Sequence, residues 1–184
     1  METDERGFVK VDAHLRTTAE GVYALGDVNG GPQQTYISLD DYRIVADDLH
    51  GDGTRTNDRA FFPTTIFTTP PLSRVGVSVA EAREQGLNAL VASKKVADVA
   101  AMPRPKIEAD PRGLITFVVD ADTDLVLGAT LLHVGSDEVI NLVAMAMKHG
   151  ITASALRDAI YIHPSATEAL NEVLGELTPL DAGR

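Results

Sequence analysis

His163 stands directly before Pro164, and Glu168 follows five positions later in the run Tyr161-Ile162-His163-Pro164-Ser165-Ala166-Thr167-Glu168. Proline disfavours the α region for the residue before it, so His163 is expected on an extended arm, outside the helix that follows. That helix is predicted to start at Ser165 and to carry Glu168 in its first turn. An imidazole held this way, with a carboxylate near enough to set its tautomer, has the parts of an oriented acid/base. The same spacing also has a purely structural use. Ser165-x-x-Glu168 is a capping box, in which the serine caps the helix and the glutamate reaches back to the cap's own N–H. Spacing alone leaves both readings open.

A second candidate is Asp27. Gly21-Val22-Tyr23-Ala24-Leu25-Gly26-Asp27-Val28 is an apolar run too short for a helix and closed by Gly26-Asp27. It suits a buried strand that presents Asp27 at its C-terminal end. In open α/β sheets ligands lie beyond the carboxyl ends of strands, where an aspartate can meet a ligand hydroxyl. Gly-Asp is equally a common turn. After the loop Asn29-Gly30-Gly31-Pro32, residues 35–50 suggest a helix with a mixed face, its apolar positions Ile37, Ile44, Val45 and Leu49 keeping helical spacing only loosely. The start of that helix, at Thr35 and Tyr36, would turn N–H groups and a positive dipole end toward an anionic ligand.

Composition narrows the remaining chemistry. The chain has 184 residues, 44% hydrophobic and 23% charged, which is ordinary for a globular protein with a real core. A net charge of −11 would repel a phosphate backbone, so nucleic acid is not an expected partner. No run approaches the roughly 20 apolar residues of a membrane span. The first residues carry no apolar signal-peptide core, and a cytoplasmic setting is expected. Cysteine is absent, which excludes disulfides, thiolate catalysis and cysteine-held metal clusters within these residues. The five histidines show no metal-ligand spacing, and no metal site is expected. His133 reads as structural and His149 as a cation at a helix C-terminus. Lys94-Lys95 and Arg104-Pro105-Lys106 read as solvated charge. No glycine-rich dinucleotide fingerprint, P-loop or nucleophile elbow is present.

The elements that position these residues follow from patterning. Phe8-Val9-Lys10-Val11 reads as a short strand. The polar stretch 51–59 lacks periodicity and reads as a boundary between a segment 1–59 and a domain 60–184. In that domain Thr64–Thr68, Ser73–Val77, Ala89–Ala92, Lys94–Val99, Leu114–Asp120 and Leu125–His133 read as strands, the last two forming an antiparallel hairpin. Ser78-x-x-Glu81 opens a short helix that Gly86 closes. Ser136 is predicted to cap a helix ending at Gly150, with Val139, Ile140, Leu142, Val143, Met145, Ala146 and Met147 serving the core. Thr152 is predicted to cap a further helix through Arg157, and a last helix runs over residues 165–177. The order gives an α+β fold, helices packed on an antiparallel sheet, preceded by a partial strand and helix.

Three stretches in this order resemble the C-terminal portion of the flavin-dependent pyridine nucleotide–disulfide oxidoreductases, a family that includes dihydrolipoamide dehydrogenase, glutathione reductase and mercuric reductase. Thr17-Thr18-x-x-Gly21-Val22-Tyr23-Ala24-Leu25-Gly26-Asp27-Val28 resembles its second FAD motif. Pro70-Pro71-Leu72-Ser73-Arg74-Val75-Gly76 resembles the opening of its dimerisation domain, and His163-Pro164-Ser165-x-x-Glu168 its H-P-[ST]-x-x-E signature. Residues 30–33 and 35–43 are similar to a mercuric-reductase-like branch linked to reactive-chlorine resistance.

The resemblance implies that residues 1–59 are the end of an FAD domain, with Gly26 and Asp27 at the ribityl chain and Thr35 and Tyr36 near the flavin's pyrimidine edge. Residues 60–184 would form a two-fold homodimer. His163, oriented by Glu168, would reach the partner's active site as acid/base for a redox thiol, and a cis bond at His163-Pro164 fits the family. FAD, with NADH or NADPH as co-substrate, would belong to the longer enzyme. The N-terminal FAD and NAD(P) domains and the redox cysteines are missing here, so this chain alone is expected to hold no FAD and to be inactive. The alternative is a stand-alone dimeric interaction module without redox activity. A hydrolase built on His163 and Glu168 lacks a visible nucleophile.

Overall fold

A computed structural model describes residues 1–180; the last four residues of the 60–184 segment lie outside the described residues. The chain falls into two compact units, Met1–Arg59 and Ala60–Arg184.

The first unit holds one long helix, α1 (Thr35–His50), whose bounds match the sequence expectation. The strands expected at residues 8–11 and 21–28 do not form. That stretch makes only isolated bridges, Thr3 to Val9, Val11 to Thr17 and Arg16 to Tyr23. Its apolar residues lack neighbouring strands to pair with, and Val22, Leu25 and Val28 are exposed rather than buried. Residues Gly26–Asn29 close it as a 3-10 turn. Val9, Leu15 and Ala24 are buried, as are Ile37 and Ile44 on α1.

Ion pairs complete the unit. Arg16 pairs with Asp48, whose carboxylate also accepts the Tyr23 hydroxyl at 2.5 Å. The Arg16 guanidinium and Tyr23 hydroxyl hold the Asp48 carboxyl below its usual range.

The second unit is a six-stranded antiparallel sheet in the order β1-β2-β5-β4-β3-β6, with helices packed on it. In chain order its elements are β1 (Thr64–Ile66), β2 (Leu72–Gly76), α2 (Val79–Glu84), β3 (Ala89–Lys95), α3 (Arg104–Ile107), β4 (Leu114–Asp120), β5 (Val126–Leu132), α4 (Ser136–Lys148), α5 (Ala153–Arg157), α6 (Ala169–Val173) and β6 (Thr178–Pro179). The expected α+β architecture, its central hairpin and the Ser78/Glu81 capping box are all present. Alternate residues of the hairpin, Ile115, Phe117 and Val119 on β4 and Ala129 and Leu131 on β5, form one core with Val139, Ile140, Val143 and Met147 of α4. β2 and β5 approach closely at Gly76 and Gly128, where a Cβ on Gly76 would lie 2.1 Å from the Leu127 carbonyl.

Several local expectations are corrected. Gly135, not Ser136, caps α4; the Ser136 hydroxyl instead donates to the Pro71 carbonyl at 2.8 Å and pairs with Ser73 Oγ at 3.0 Å. That ties the buried start of α4 to β2, a long-range bond that helix-start patterns do not encode. Met147 lies in the core, whereas Met145 is 56% and Leu142 38% exposed. The strand expected over residues 94–99 ends at Lys95 and continues as a 3-10 turn, Val96–Asp98. The last helix is much shorter than expected, beginning only at Ala169. No helix among the described residues is long and apolar enough to cross a membrane.

Candidate functional site

His163 sits on the arm between α5 and α6. Thr152 caps α5 through a bond from the Ala155 N–H at 3.1 Å. Beyond Ala159, residues 160–163 make no backbone–backbone hydrogen bond among the described residues. Along this arm Ile160 is fully exposed and Ile162 is 80% exposed. Tyr161 between them packs on the main core and donates its hydroxyl to the Leu156 carbonyl at 2.8 Å. The His163-Pro164 peptide is cis.

Glu168 serves two donors at once. Its Oε1 lies 2.8 Å from His163 Nδ1, and its Oε2 accepts the Ser165 N–H at 2.7 Å. Ser165 Oγ pairs with Thr167 Oγ1 instead of capping α6, so only the glutamate half of the capping box is made. The orienting and capping uses of Glu168, alternatives in the sequence, coexist because a carboxylate has an oxygen for each. The Ser165 N–H, and then His163, hold the Glu168 carboxyl below its ordinary range. An ionised carboxylate only accepts, so Nδ1 carries the proton and Nε2 is left with a lone pair on a side chain 72% exposed. The arrangement can accept a proton at Nε2 and return it.

In the first unit the sequence-selected residues gather around α1. Gly26 has φ +72°, and a Cβ there would lie 3.1 Å from Ser38 Oγ, so the turn sits tight against the first turn of α1. The Gly26 N–H donates to Asp41 Oδ2 at 2.6 Å, and Asn29 Nδ2 donates to the same oxygen at 3.2 Å. Asp41 is 1% exposed and also pairs with Arg59, which reaches Asp40 at 2.6 Å. The carboxylate of Asp41 thus fixes the turn that carries Asp27. The sequence reading did not single out Asp41; the signal was its spacing, four residues after Ile37 and three before Ile44, which puts a carboxylate on the buried stripe of α1. Asp27 itself is exposed, and among the described residues its carboxylate makes no hydrogen bond or ion pair. Thr35 and Tyr36 open α1, where the N–H groups of Ile37 and Ser38 fold back to the Gln34 carbonyl and no side chain caps the helix. Burial raises the Tyr36 phenol above its usual value.

The charges read as solvated are partly engaged. Lys94 pairs with Glu172 at 2.6 Å and with Glu176, and Glu172 also accepts the Ala101 N–H at 2.7 Å. Among the described residues no group of three or more His, Asp or Glu could hold a metal ion.

Residues 62–174 match the pyridine nucleotide-disulphide oxidoreductase dimerisation domain, and residues 1–41 match the pyridine nucleotide-disulphide oxidoreductase family profile. The chain belongs to this family. Its relatives include the probable pyridine nucleotide-disulfide oxidoreductase RclA of Escherichia coli, 50% identical over 174 residues, 94% of this chain and 39% of that protein. Dihydrolipoyl dehydrogenase of Thermus scotoductus is 33% identical over 172 residues, 94% of this chain and 36% of that protein. Among solved structures, the HOCl-induced flavoprotein disulfide reductase RclA from Escherichia coli superposes with a TM-score of 0.91 at 48% identity, over 95% of this chain and 40% of that one. The chain therefore spans about two fifths of the length of the relatives it matches. The likeness to RclA agrees with the expected reactive-chlorine branch of the family.

Proposed function

We propose that these residues are the dimerising, C-terminal part of an FAD-dependent, NAD(P)H-linked disulfide or metal-ion reductase, with His163 and Glu168 supplying an acid/base pair to the partner subunit's active site. The observation that carries this reading is the two-oxygen grip of Glu168, which fixes the Nδ1 proton and leaves Nε2 available on a side chain 72% exposed. Exposed Ile160 and Ile162 on that arm suit burial against a second copy rather than prolonged contact with water.

Residues of the first unit fit a flavin. Asp27 offers a carboxylate free of internal partners for ribityl hydroxyls, and Gly26 keeps the turn low enough to be approached. The start of α1, at Thr35 and Tyr36, turns the positive end of the helix dipole toward an electron-rich ring edge. When bound, FAD would pass two electrons from nicotinamide to the acceptor. The part of this chain is protonic: as a disulfide opens, protonated His163 gives its Nε2 proton to the leaving sulfur, and in the reverse direction neutral His163 takes it back. Glu168 stabilises the imidazolium between these steps. The thiol that exchanges this proton lies outside the present sequence, which contains no cysteine.

The test is His163→Ala in the flavin-containing protein that carries this chain, with the two half-reactions followed separately. Flavin reduction by NAD(P)H is expected to keep its rate, while re-oxidation by a small disulfide slows by about 10²–10⁴-fold. Re-oxidation as fast as in the wild type would remove His163 and Glu168 from the acid/base role.

A further inference from the structure

The residue that aims the arm is Asn171. Its Nδ2 donates to the Arg157 carbonyl at 2.6 Å and to the Ala159 carbonyl at 2.9 Å. The first is the last carbonyl of α5, one of the orphan acceptors every helix C-terminus leaves. The second is the last carbonyl before the stretch that has no backbone partners of its own. Asn171 and Glu168 lie three positions apart, so the short α6 presents both toward the same side. One grips the arm where it leaves α5 and the other grips the imidazole at its far end.

Resting on the role proposed above for His163, we infer that Asn171 is a positioning residue for that imidazole. It acts through the path of residues 159–163 and touches neither substrate nor cofactor. Between its two grips the arm has one other anchor, Tyr161, whose ring and hydroxyl fix a single point. With Ile160 and Ile162 exposed, nothing else in the described subunit defines the direction in which His163 leaves the surface. An acid/base must meet its proton within hydrogen-bond reach, and small misplacements are costly. The side chain is half-buried and makes its bonds with the amide nitrogen, so the isosteric Asn171→Asp removes both donors with little change of volume.

The experiment compares N171D and N171L with H163A in the flavin-containing protein that carries this chain. A small aromatic disulfide serves as oxidant, and flavin content and melting temperature are checked for each variant. Losing two neutral hydrogen bonds that hold one conformation is expected to cut the acceptor half-reaction by about ten-fold. KM for the disulfide and flavin reduction by NAD(P)H should be unchanged. A loss of general integrity would instead lower flavin content and both half-reactions together, which would overturn the inference. If H163A is slow and N171D and N171L match the wild type, Asn171 does not position the imidazole although His163 still acts. If H163A is itself as fast as the wild type, the acid/base reading and this inference fall together.

Discussion

Glu168→Gln separates the two duties of Glu168 in one molecule. The amide has one acceptor and one donor where the carboxylate had two acceptors. The Ser165 N–H is fixed and half-buried, and facing it with an NH₂ group would leave it unsatisfied at a cost of about 1–3 kcal/mol. The imidazole can adapt by moving a proton. The glutamine oxygen should therefore stay on Ser165 and its NH₂ should face His163 Nδ1, forcing the tautomer with the proton on Nε2. Exchanging a charge-assisted bond for a neutral one costs about 1 kcal/mol, a fall in Tm of about 3 °C for a chain of this size. Long-range proton–nitrogen correlation on labelled His163 reads the tautomer at neutral pH. The expected result is Nδ1–H in the wild type and Nε2–H in the variant.

The stability gap between the two proteins carries its own pH signature. Glu168 is held below its ordinary value in the fold, so its contribution is complete above the unfolded-state pKa, about 4.3, and fades as pH falls through the lower folded value. The gap to E168Q should close over that same interval. The same tautomer in both proteins, with a gap that ignores pH, would refute the geometry assigned to Glu168.

Other substitutions probe the frame. His133 is fully buried, with Nδ1 bonded to the Val134 carbonyl at 2.9 Å and Nε2 without a partner among the described residues. Burial lowers its pKa, so the fold favours the neutral ring and loses stability as pH drops below the unfolded value of about 6.5. Urea unfolding of His133→Leu should show a smaller loss between pH 7 and pH 5 than the wild type. Phe117→Ala empties the centre of the sheet–helix core and should cost about 3–5 kcal/mol in the same assay. Ser136→Ala removes the tie from α4 to the Pro71 carbonyl and should cost about 1–3 kcal/mol, leaving a half-buried acceptor behind. Sedimentation of the 184-residue chain should give a dimer of twice its 19.6 kDa mass.

Features visible in the sequence were those built from near neighbours. α1, the Ser78/Glu81 box, the hairpin turn at 121–124 and the Thr152 cap all rest on bonds spanning a few residues, and their patterns can be read directly. Residues 8–11 and 21–28 misled because strand patterning marks apolar alternation, while a strand exists only where a partner strand is supplied. Ser136 and Lys94 were misassigned for a related reason: their partners, Pro71, Ser73, Glu172 and Glu176, lie far away in sequence. At the His163 site the residue types, their spacing and the capacity of one carboxylate to serve two donors were all legible; that Ser165 Oγ would turn to Thr167 and leave α6 without its serine cap was not. Asn171 carried no motif at all, because its role is defined by two carbonyls rather than by side chains.

The most direct test of the central claim is the intact mass and visible absorption of the native polypeptide that contains these residues, isolated from its own cells. The account predicts a protein much heavier than 19.6 kDa with the yellow absorption of an oxidised flavin. A colourless product of 19.6 kDa would contradict it, and would leave a dimerising module that keeps the shape of a flavoenzyme's C-terminal part without its chemistry.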